Sequence, residues 1–219
     1  MENIIFIAPP AAGKGTQSKL ISEEYNIPHI STGDLIREEI HRNTPLGIEI
    51  KQIIDQGNLV SDEVMTKLLT KRLQTSDCNN GFILDGYPRN VEQAHIYEDI
   101  LTKLNKDLGI VIFLDIDKQT ALNRIKGRLV CSKCGASYNT NVKELTPKKE
   151  NICDKCLNIL TKRDDDNEET FSKRFDIYLE KTNPLIEYYK LKNVLEIIKI
   201  DSTTTAEDTF RSIKKILSK

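Results

Sequence analysis

No stretch of the 219-residue chain approaches the run of about eighteen apolar residues that a membrane-spanning helix needs. The apolar start from Met1 to Ala8 gives way at once to Pro9 and Pro10, too short for the core of a secretory signal. We therefore expect a soluble, cytoplasmic protein with no membrane partner. A basic excess is also missing: 32 Lys and Arg stand against 33 Asp and Glu, for a formal net charge of −1. General nucleic-acid binders carry a surplus of positive charge, so nucleic acid is not an expected partner and any electrostatic function must be local. Histidine is scarce: His29, His41 and His95 each stand outside any motif with a partner, and none is assigned a catalytic role. Internal repeats are absent. The five cysteines are poorly explained as a disulfide framework in a chain without a secretory signal, so their spacing has to account for them.

What is present alternates. Short apolar runs at Asn3–Ala8, Gly81–Asp85, Gly109–Asp115 and Val194–Ile200 read as buried strands. Helical periodicity follows at Lys14–Tyr25, Val91–Asn105, Lys118–Lys126, Glu168–Tyr189 and Ala206–Leu217. Near-continuous apolar strands separated by helices predict an α/β fold with a parallel sheet covered on both faces. Two segments interrupt the pattern. From Ser31 to about Val60 the chain is helical and polar, which suggests an inserted helical arm; from Arg128 to about Asp165 the apolar period disappears and both cysteine pairs fall there. The second interruption reads as a small inserted domain, with the charge runs Lys148-Lys149-Glu150 and Arg163 to Asp166 in it or at its edge.

The segment Ala8-Pro-Pro-Ala-Ala-Gly-Lys-Gly-Thr16 follows a strand and opens a helix. Backbone N–H groups and a helix N-terminus can cradle a phosphate chain there, with Lys14 as a point charge. Against the G-x-x-x-x-G-K-[ST] pattern, Ala8 replaces the first glycine and Gly15 precedes the hydroxyl of Thr16. The loop by itself reads either as a nucleotide site or as an ordinary Gly-Lys strand-to-helix turn.

The remaining motifs decide between these. Gly-Lys-Gly-Thr-Gln17, Ser31-Thr-Gly-Asp-Leu-Ile-Arg37, Gly57-Asn-Leu-Val-Ser-Asp62, and Gly81-Phe-Ile-Leu-Asp-Gly-Tyr-Pro-Arg-Asn90 followed by Gln93 closely resemble the ordered motifs of adenylate kinases. The similarity continues through Arg124-Ile-Lys-Gly-Arg128, Arg163 to Thr170, Arg174, and Pro184 to Tyr189, and so covers essentially the whole chain. The long second interruption matches the long-lid form of that family. The resemblance implies a P-loop NTPase-like parallel sheet with flanking helices. It divides the chain into a core (residues 1–30, 61–127 and 166–219), a helical AMP-binding insertion (31–60) and a small zinc-stabilised lid (128–165). It implies reversible in-line transfer of the terminal phosphoryl group of ATP to AMP, giving two ADP, with Mg²⁺ and lid closure, in a monomer.

Such chemistry asks for positioning and charge neutralisation rather than a covalent nucleophile. By resemblance, the ATP site comprises Ala11, Ala12, Gly13, Lys14, Gly15, Thr16, Arg124 over the adenine, Arg128 from the lid, Ser137, Tyr138 and Thr204. The AMP site comprises Thr32, Arg37, Asn58, Leu59, Val60, Gly86, Tyr87, Pro88, Arg89 and Gln93, with Arg163 and Arg174 bridging the transferred group. Lys14, Arg89, Arg128, Arg163, Arg174 and Asp85 form the catalytic set. Asp85 ends a buried strand, where a carboxylate needs a cation or strong hydrogen bonds; it reads as a Mg²⁺ site through water or as a structural hydrogen-bond acceptor.

Cys131-x-x-Cys134 and Cys153-x-x-Cys156 stand eighteen residues apart inside the second interruption. Two such pairs predict a closed tetrahedral zinc site of four thiolates, with two disulfides or redox-active thiols as alternatives. A metal would supply folding energy to a segment with few apolar residues, and long-lid adenylate kinases of some bacteria carry a cysteine-bound metal there. Cys78 stands alone, without a role.

Departures from the family pattern are Ala8 and Ala11 where glycine is usual, Asn139 where histidine is common, and Ser202 in the late loop before Thr204. If Ala11 adopts an ordinary φ the loop survives; if it needs φ above zero, strain and weakened ATP binding follow. Two rival functions remain open on sequence: another nucleoside-monophosphate kinase acting on UMP, CMP or GMP, and a nucleotide-binding module without turnover.

Overall fold

The computed structural model describes residues 2–55, 60–163 and 166–218. In chain order it contains β1 (Ile4–Ile7), α1 (Lys14–Tyr25), β2 (His29–Ser31), α2 (Thr32–His41), α3 (Pro45–Asp55) and α4 (Asp62–Leu73). Next come β3 (Ile83–Asp85), α5 (Val91–Lys103), β4 (Ile110–Ile116), α6 (Lys118–Gly127), β5 (Arg128–Cys131), β6 (Ser137–Asn139) and β7 (Leu160–Thr161). The chain ends through α7 (Glu168–Ile177), α8 (Pro184–Leu191), β8 (Leu195–Ile200) and α9 (Ala206–Leu217). The fold is mixed α/β with a parallel sheet and flanking helices, and no described helix is long and apolar enough to cross a membrane. The four expected strands and the helices opening at Lys14, Val91, Lys118 and Ala206 are all present.

Contacts divide the chain into two units. The first comprises Met1–Ile7, Ser18–Phe113 and Lys181–Glu196. The sheet runs β2-β3-β1-β4-β8. Its pairings β1–β3, β1–β4 and β2–β3 are parallel, and the Val111 N–H bonds to the Val194 carbonyl at 2.9 Å beside β4. All four residues of β1 are buried, as a strand covered on both faces requires. Register sets Phe6 beside Asp85 and Ser31 beside Asp85, so the carboxyl ends of β1, β2 and β3 finish level. Ligands of open parallel sheets bind at that edge.

The helical arm is present as α2 and α3, closed by α4. Ile50, Val64 and Leu68 form its buried centre, with Ile36, Ile40, Leu46 and Val60 packed around them. Gly47 permits the close approach of α3 to α2, because a Cβ there would collide with the Glu39 carbonyl. Thr44 ties the turn: its hydroxyl accepts from the Gly47 N–H at 2.9 Å and donates to the buried Glu39 carboxylate at 2.5 Å. Helix α4 was not foreseen; Ser61 caps it, and Val64, Met65, Leu68, Leu69 and Leu73 form its buried stripe.

The second unit comprises Ala8–Gln17, Leu114–Glu180 and Ile197–Lys219. Inside it, β5 pairs antiparallel with β6 and β7 in a small sheet ordered β6-β5-β7. This sheet packs its own core of Leu129, Cys131, Ala136, Tyr138, Cys153 and Leu160. The single helix expected over 168–189 is in fact two. Helix α7 ends in a wider π-type turn over Tyr178–Thr182, and α8 begins with Pro184 in its first turn. Proline cannot donate to a continuing helix but is pre-set for the start of a new one.

Candidate active site and metal centre

The phosphate loop belongs to the second unit. Gly13 lies at φ 97° and Ala11 at φ 65°. Ala11 therefore takes the left-handed conformation that glycine enters freely and a Cβ resists, so of the two outcomes open on sequence the strained one is found. The Ala12 N–H bonds to the Pro9 carbonyl at 3.4 Å, and the Gln17 N–H to the Gly13 carbonyl at 3.0 Å. Lys14, Gly15 and Thr16 occupy the first turn of α1, where N–H groups lack helical partners and the dipole favours an anion.

Arg124, near the end of α6, reaches two other segments of this unit. One guanidinium nitrogen donates to the Ala12 carbonyl at 3.4 Å and another to the Thr204 carbonyl at 3.1 Å. Burial lowers its pKa, against the pull of Asp201. The loop bearing Thr204 is held by Asp201, whose Oδ1 accepts from the N–H and hydroxyl of both Thr203 and Thr204 at 2.7–2.9 Å. Ser202, replacing the family glycine, leaves this turn intact. Gln17, almost wholly buried, donates to the Ala206 carbonyl at 2.9 Å, a second tie between the phosphate loop and the late loop that sequence did not reveal.

At the entry to the lid, Arg128 is bound by the Asp166 carboxylate through both Nε and a terminal nitrogen. Arg163 and Arg174 are exposed, the latter on α7. Ser137 is exposed on β6, whereas the Tyr138 ring is buried in the lid core. Asn139, also buried, donates to the Arg124 carbonyl at 2.7 Å and accepts from the Asn141 N–H at 2.9 Å, fastening β6 to the end of α6.

Several of the residues expected at the AMP site, though not Arg163 and Arg174, belong to the first unit. Gly86 lies at φ 87° just beyond β3, and its carbonyl accepts from the Thr32 hydroxyl at 3.2 Å and from Arg89 Nε at 2.8 Å. Tyr87 precedes a cis Pro88, and its ring is buried edge-on to Tyr97. The Arg89 N–H donates to Gln93 Oε1 at 2.7 Å, and Gln93 Nε2 donates to Asp62 Oδ1 at 2.7 Å. Thr182 fixes this segment from α8's side by donating to the Arg89 carbonyl at 2.8 Å. Arg37 pairs with Asp34 on the same helix; both are exposed, and such pairs are worth only about 0.3–0.5 kcal/mol, so an anion displaces one readily. Val60 packs in the arm's core, while Asn58 and Leu59 lie outside the described residues.

Asp85 is only 13% exposed, and one group beside it is a residue to which sequence gave no role: His29 Nε2 lies 3.3 Å from Asp85 Oδ2. The signal was the register of β2 against β3, which could not be read while β2 itself was missed. A strand-end carboxylate supplies the hard oxygen that Mg²⁺ takes alongside phosphates and water, so the residue present fits that ion.

The four lid cysteines come together with their sulfurs all within 4.8 Å of one another. Cys131 and Cys156 sulfurs are 3.4 Å apart, and those of Cys134 and Cys153 3.5 Å, and all four thiols are free. Bonds of about 2.3 Å to one tetrahedral zinc put sulfurs roughly 3.8 Å apart, so the donor set and its spacing fit zinc, and no disulfide is formed. Burial opposes ionisation of Cys153, but the Tyr138 hydroxyl and the backbone N–H groups of Cys156 and Lys155 pull its pKa to about 6. Cys156 accepts from the backbone at Asn158, yet burial and the neighbouring sulfurs push its pKa up to about 12. Cys78 is buried and accepts from Arg72 at 3.0 Å, a packing role; burial raises its pKa.

Comparison with known proteins bears on the whole chain. The family model described as adenylate kinase matches residues 6–194. The adenylate kinase of Clostridium tetani (strain Massachusetts / E88) is 46% identical over 215 residues, covering 98% of both chains. That of Fervidobacterium nodosum is also 46% identical over 215 residues, covering 98% of this chain and 97% of its own. That of Clostridium perfringens (strain SM101 / Type A) is 45% identical over 214 residues, with the same coverages of 98% and 97%. With likeness at this level over almost the full length of each relative, the chain belongs to the adenylate kinase family, and is a nucleoside-monophosphate kinase, a phosphotransferase.

Proposed function

We propose that this enzyme transfers the terminal phosphoryl group of ATP to AMP, reversibly, giving two ADP. The observation that carries the choice of AMP is the Gln93 side chain, held in the first unit beside Thr32, Gly86 and Arg89. A carboxamide can accept from the 6-amino group of adenine and donate to its N1 together. Arg37 and Arg89 hold the AMP phosphate.

In the second unit the loop from Ala11 to Thr16 takes the ATP phosphates on its N–H groups, with the Lys14 ammonium as a point charge. Arg124 packs on the adenine, Ser137, Tyr138 and Thr204 border it, and Arg128 descends from the lid onto the phosphates. Arg163 and Arg174 neutralise the oxygens of the moving group, which pass through a loose, in-line transition state with little covalent help from protein. Mg²⁺ supplies further neutralisation of the phosphates when bound, and Asp85, steadied by His29, is the residue to hold it through water. Lid closure excludes water that would otherwise accept the phosphoryl group. The lid cysteines hold a structural zinc ion.

In this reading residues 1–30, 61–127 and 166–219 are the core, 31–60 the AMP-binding arm and 128–165 the lid. The protein works as a cytoplasmic monomer, without nucleic acid or membrane as a partner, consistent with its balanced charge. The test is a coupled assay of ADP formation from ATP with AMP, UMP, CMP or GMP, with and without Mg²⁺. AMP is expected to give the highest kcat/KM, and Arg89→Ala to lose kcat by about a hundredfold or more while staying folded. Preference for another nucleotide would overturn the assignment.

A further inference from the structure

We propose that Asp62 is the positioning residue that sets base choice at the acceptor site, by fixing which way round the Gln93 carboxamide lies. The proposal rests on the reading that Gln93 meets the base. Two contacts hold the amide, and each accepts only one orientation. The Arg89 N–H can only donate, and it meets Oε1 at 2.7 Å. The Asp62 carboxylate, when ionised, can only accept, and it meets Nε2 at 2.7 Å. Rotating the amide by half a turn would set its NH₂ against the Arg89 N–H and its oxygen against the carboxylate, turning two attractions into two repulsions. The backbone is fixed as well, because Asn90 caps α5 by accepting the Gln93 N–H at 2.8 Å.

A carboxamide has two N–H donors and two lone pairs. One of each is spent on Asp62 and Arg89, and one of each remains, in fixed order. That order suits adenine, which offers a 6-amino donor next to the N1 acceptor. A 6-oxopurine offers the reverse, an O6 acceptor next to an N1–H donor, and would face acceptor with acceptor and donor with donor. An unrestrained glutamine could serve either base by turning over. Asp62 reaches Gln93 from the first turn of α4, 31 residues earlier in the chain, so the selectivity belongs to a residue that needs no contact with the nucleotide.

The experiment compares kcat/KM for AMP and for IMP, which differ at this edge, with ATP as donor, in the full-length wild type and in Asp62→Ala, Asp62→Ser, Asp62→Asn and Gln93→Ala. Asp62→Ala is expected to lower the AMP:IMP ratio about tenfold with the KM for ATP unchanged. Asp62→Ser suits a helix start and is too short to reach Gln93, so it gives the same fall should the alanine variant not fold. Asp62→Asn keeps a polar contact, but its carboxamide can itself turn over to donate or accept, so it no longer dictates the orientation of Gln93 and is expected to lower the ratio as the alanine does. A wild-type ratio in folded Asp62→Ala or Asp62→Ser, with a collapsed ratio in Gln93→Ala, overturns the role of Asp62 alone. A wild-type ratio in Gln93→Ala overturns the assignment of Gln93 to the base, and this proposal with it.

Discussion

Arg128 and Asp166 meet fork to fork, with Nε 2.7 Å from one carboxylate oxygen and a terminal nitrogen on the other. The Asp166 side chain is fully buried and that of Arg128 is 19% exposed. Deleting one partner of such a pair leaves a desolvated charge, at a cost of about 3 kcal/mol or more. Asp166→Ala is therefore expected to lower the melting temperature by roughly 10 °C and to raise the KM for ATP, since the arginine proposed to meet its phosphates loses its support. Calorimetry and initial-rate kinetics on the same preparation check both effects; an unchanged KM would detach Arg128 from ATP.

Ala11 at φ 65° pays for a conformation glycine would adopt without strain. Relief of about 1–2 kcal/mol is partly offset by the greater freedom of glycine in the unfolded chain, about 0.5–1 kcal/mol. Ala11→Gly is expected to raise the melting temperature by roughly 2–4 °C and to lower the KM for ATP. A thermal scan without nucleotide separates the stability gain from any change in ligand binding.

Metal removal tests the lid. Protein stripped by chelator, with metal content measured before and after, is expected to lose protection from hydrogen exchange across β5, β6 and β7 before the parallel sheet is affected, and to melt at a lower temperature. One metal per chain should be found beforehand, and Cys153→Ser should abolish it. Because the Cys156 thiol, at about 12, must give up its proton to a metal, affinity falls as pH is lowered. Identical melting of stripped and loaded protein would end the structural role.

Acid stability should carry the signature of Asp201. Hydrogen bonds from the hydroxyls of Thr203 and Thr204, and from the Thr203 N–H, lower its pKa from 3.8 to about 2. With the folded value below the unfolded one, its contribution is fully present above pH 3.8 and is lost as pH falls through about 2. Asp201→Ala is expected to be less stable near neutrality and to show a shallower loss of melting temperature across that window, as a pH series of thermal melts would reveal.

Much of this architecture is legible in sequence because local and global signals agree. Strand β1 is continuously apolar, the loop after it holds glycines and a lysine, and the helix starts where the loop ends. β2 was lost because it has three residues, of which only Ile30 is buried below a few per cent; its strand state comes from pairing with β3. Helix α4 is encoded locally by the Ser61 cap and the apolar stripe from Val64 to Leu73, but its start overlaps the Gly57–Asp62 motif, whose polar and small residues mask the onset of the helical period. The zinc-fitting cysteines were plain from spacing. The polar contacts that tune the site were not: Asp62 with Gln93, His29 with Asp85 and Asp166 with Arg128 each join residues distant in the chain, and no local pattern encodes such pairs.

Arg124 has a last consequence, concerning synthesis. Its carbonyl partners are Ala12, 112 residues before it, and Thr204, 80 residues after it. While the chain is still emerging from a ribosome, the phosphate loop exists for most of that time without the segment that completes its anchorage. Closure of this contact is thus a marker of completion: a chain halted before Thr204 carries every residue of the loop, yet lacks one of the two carbonyls through which this guanidinium ties the loop down.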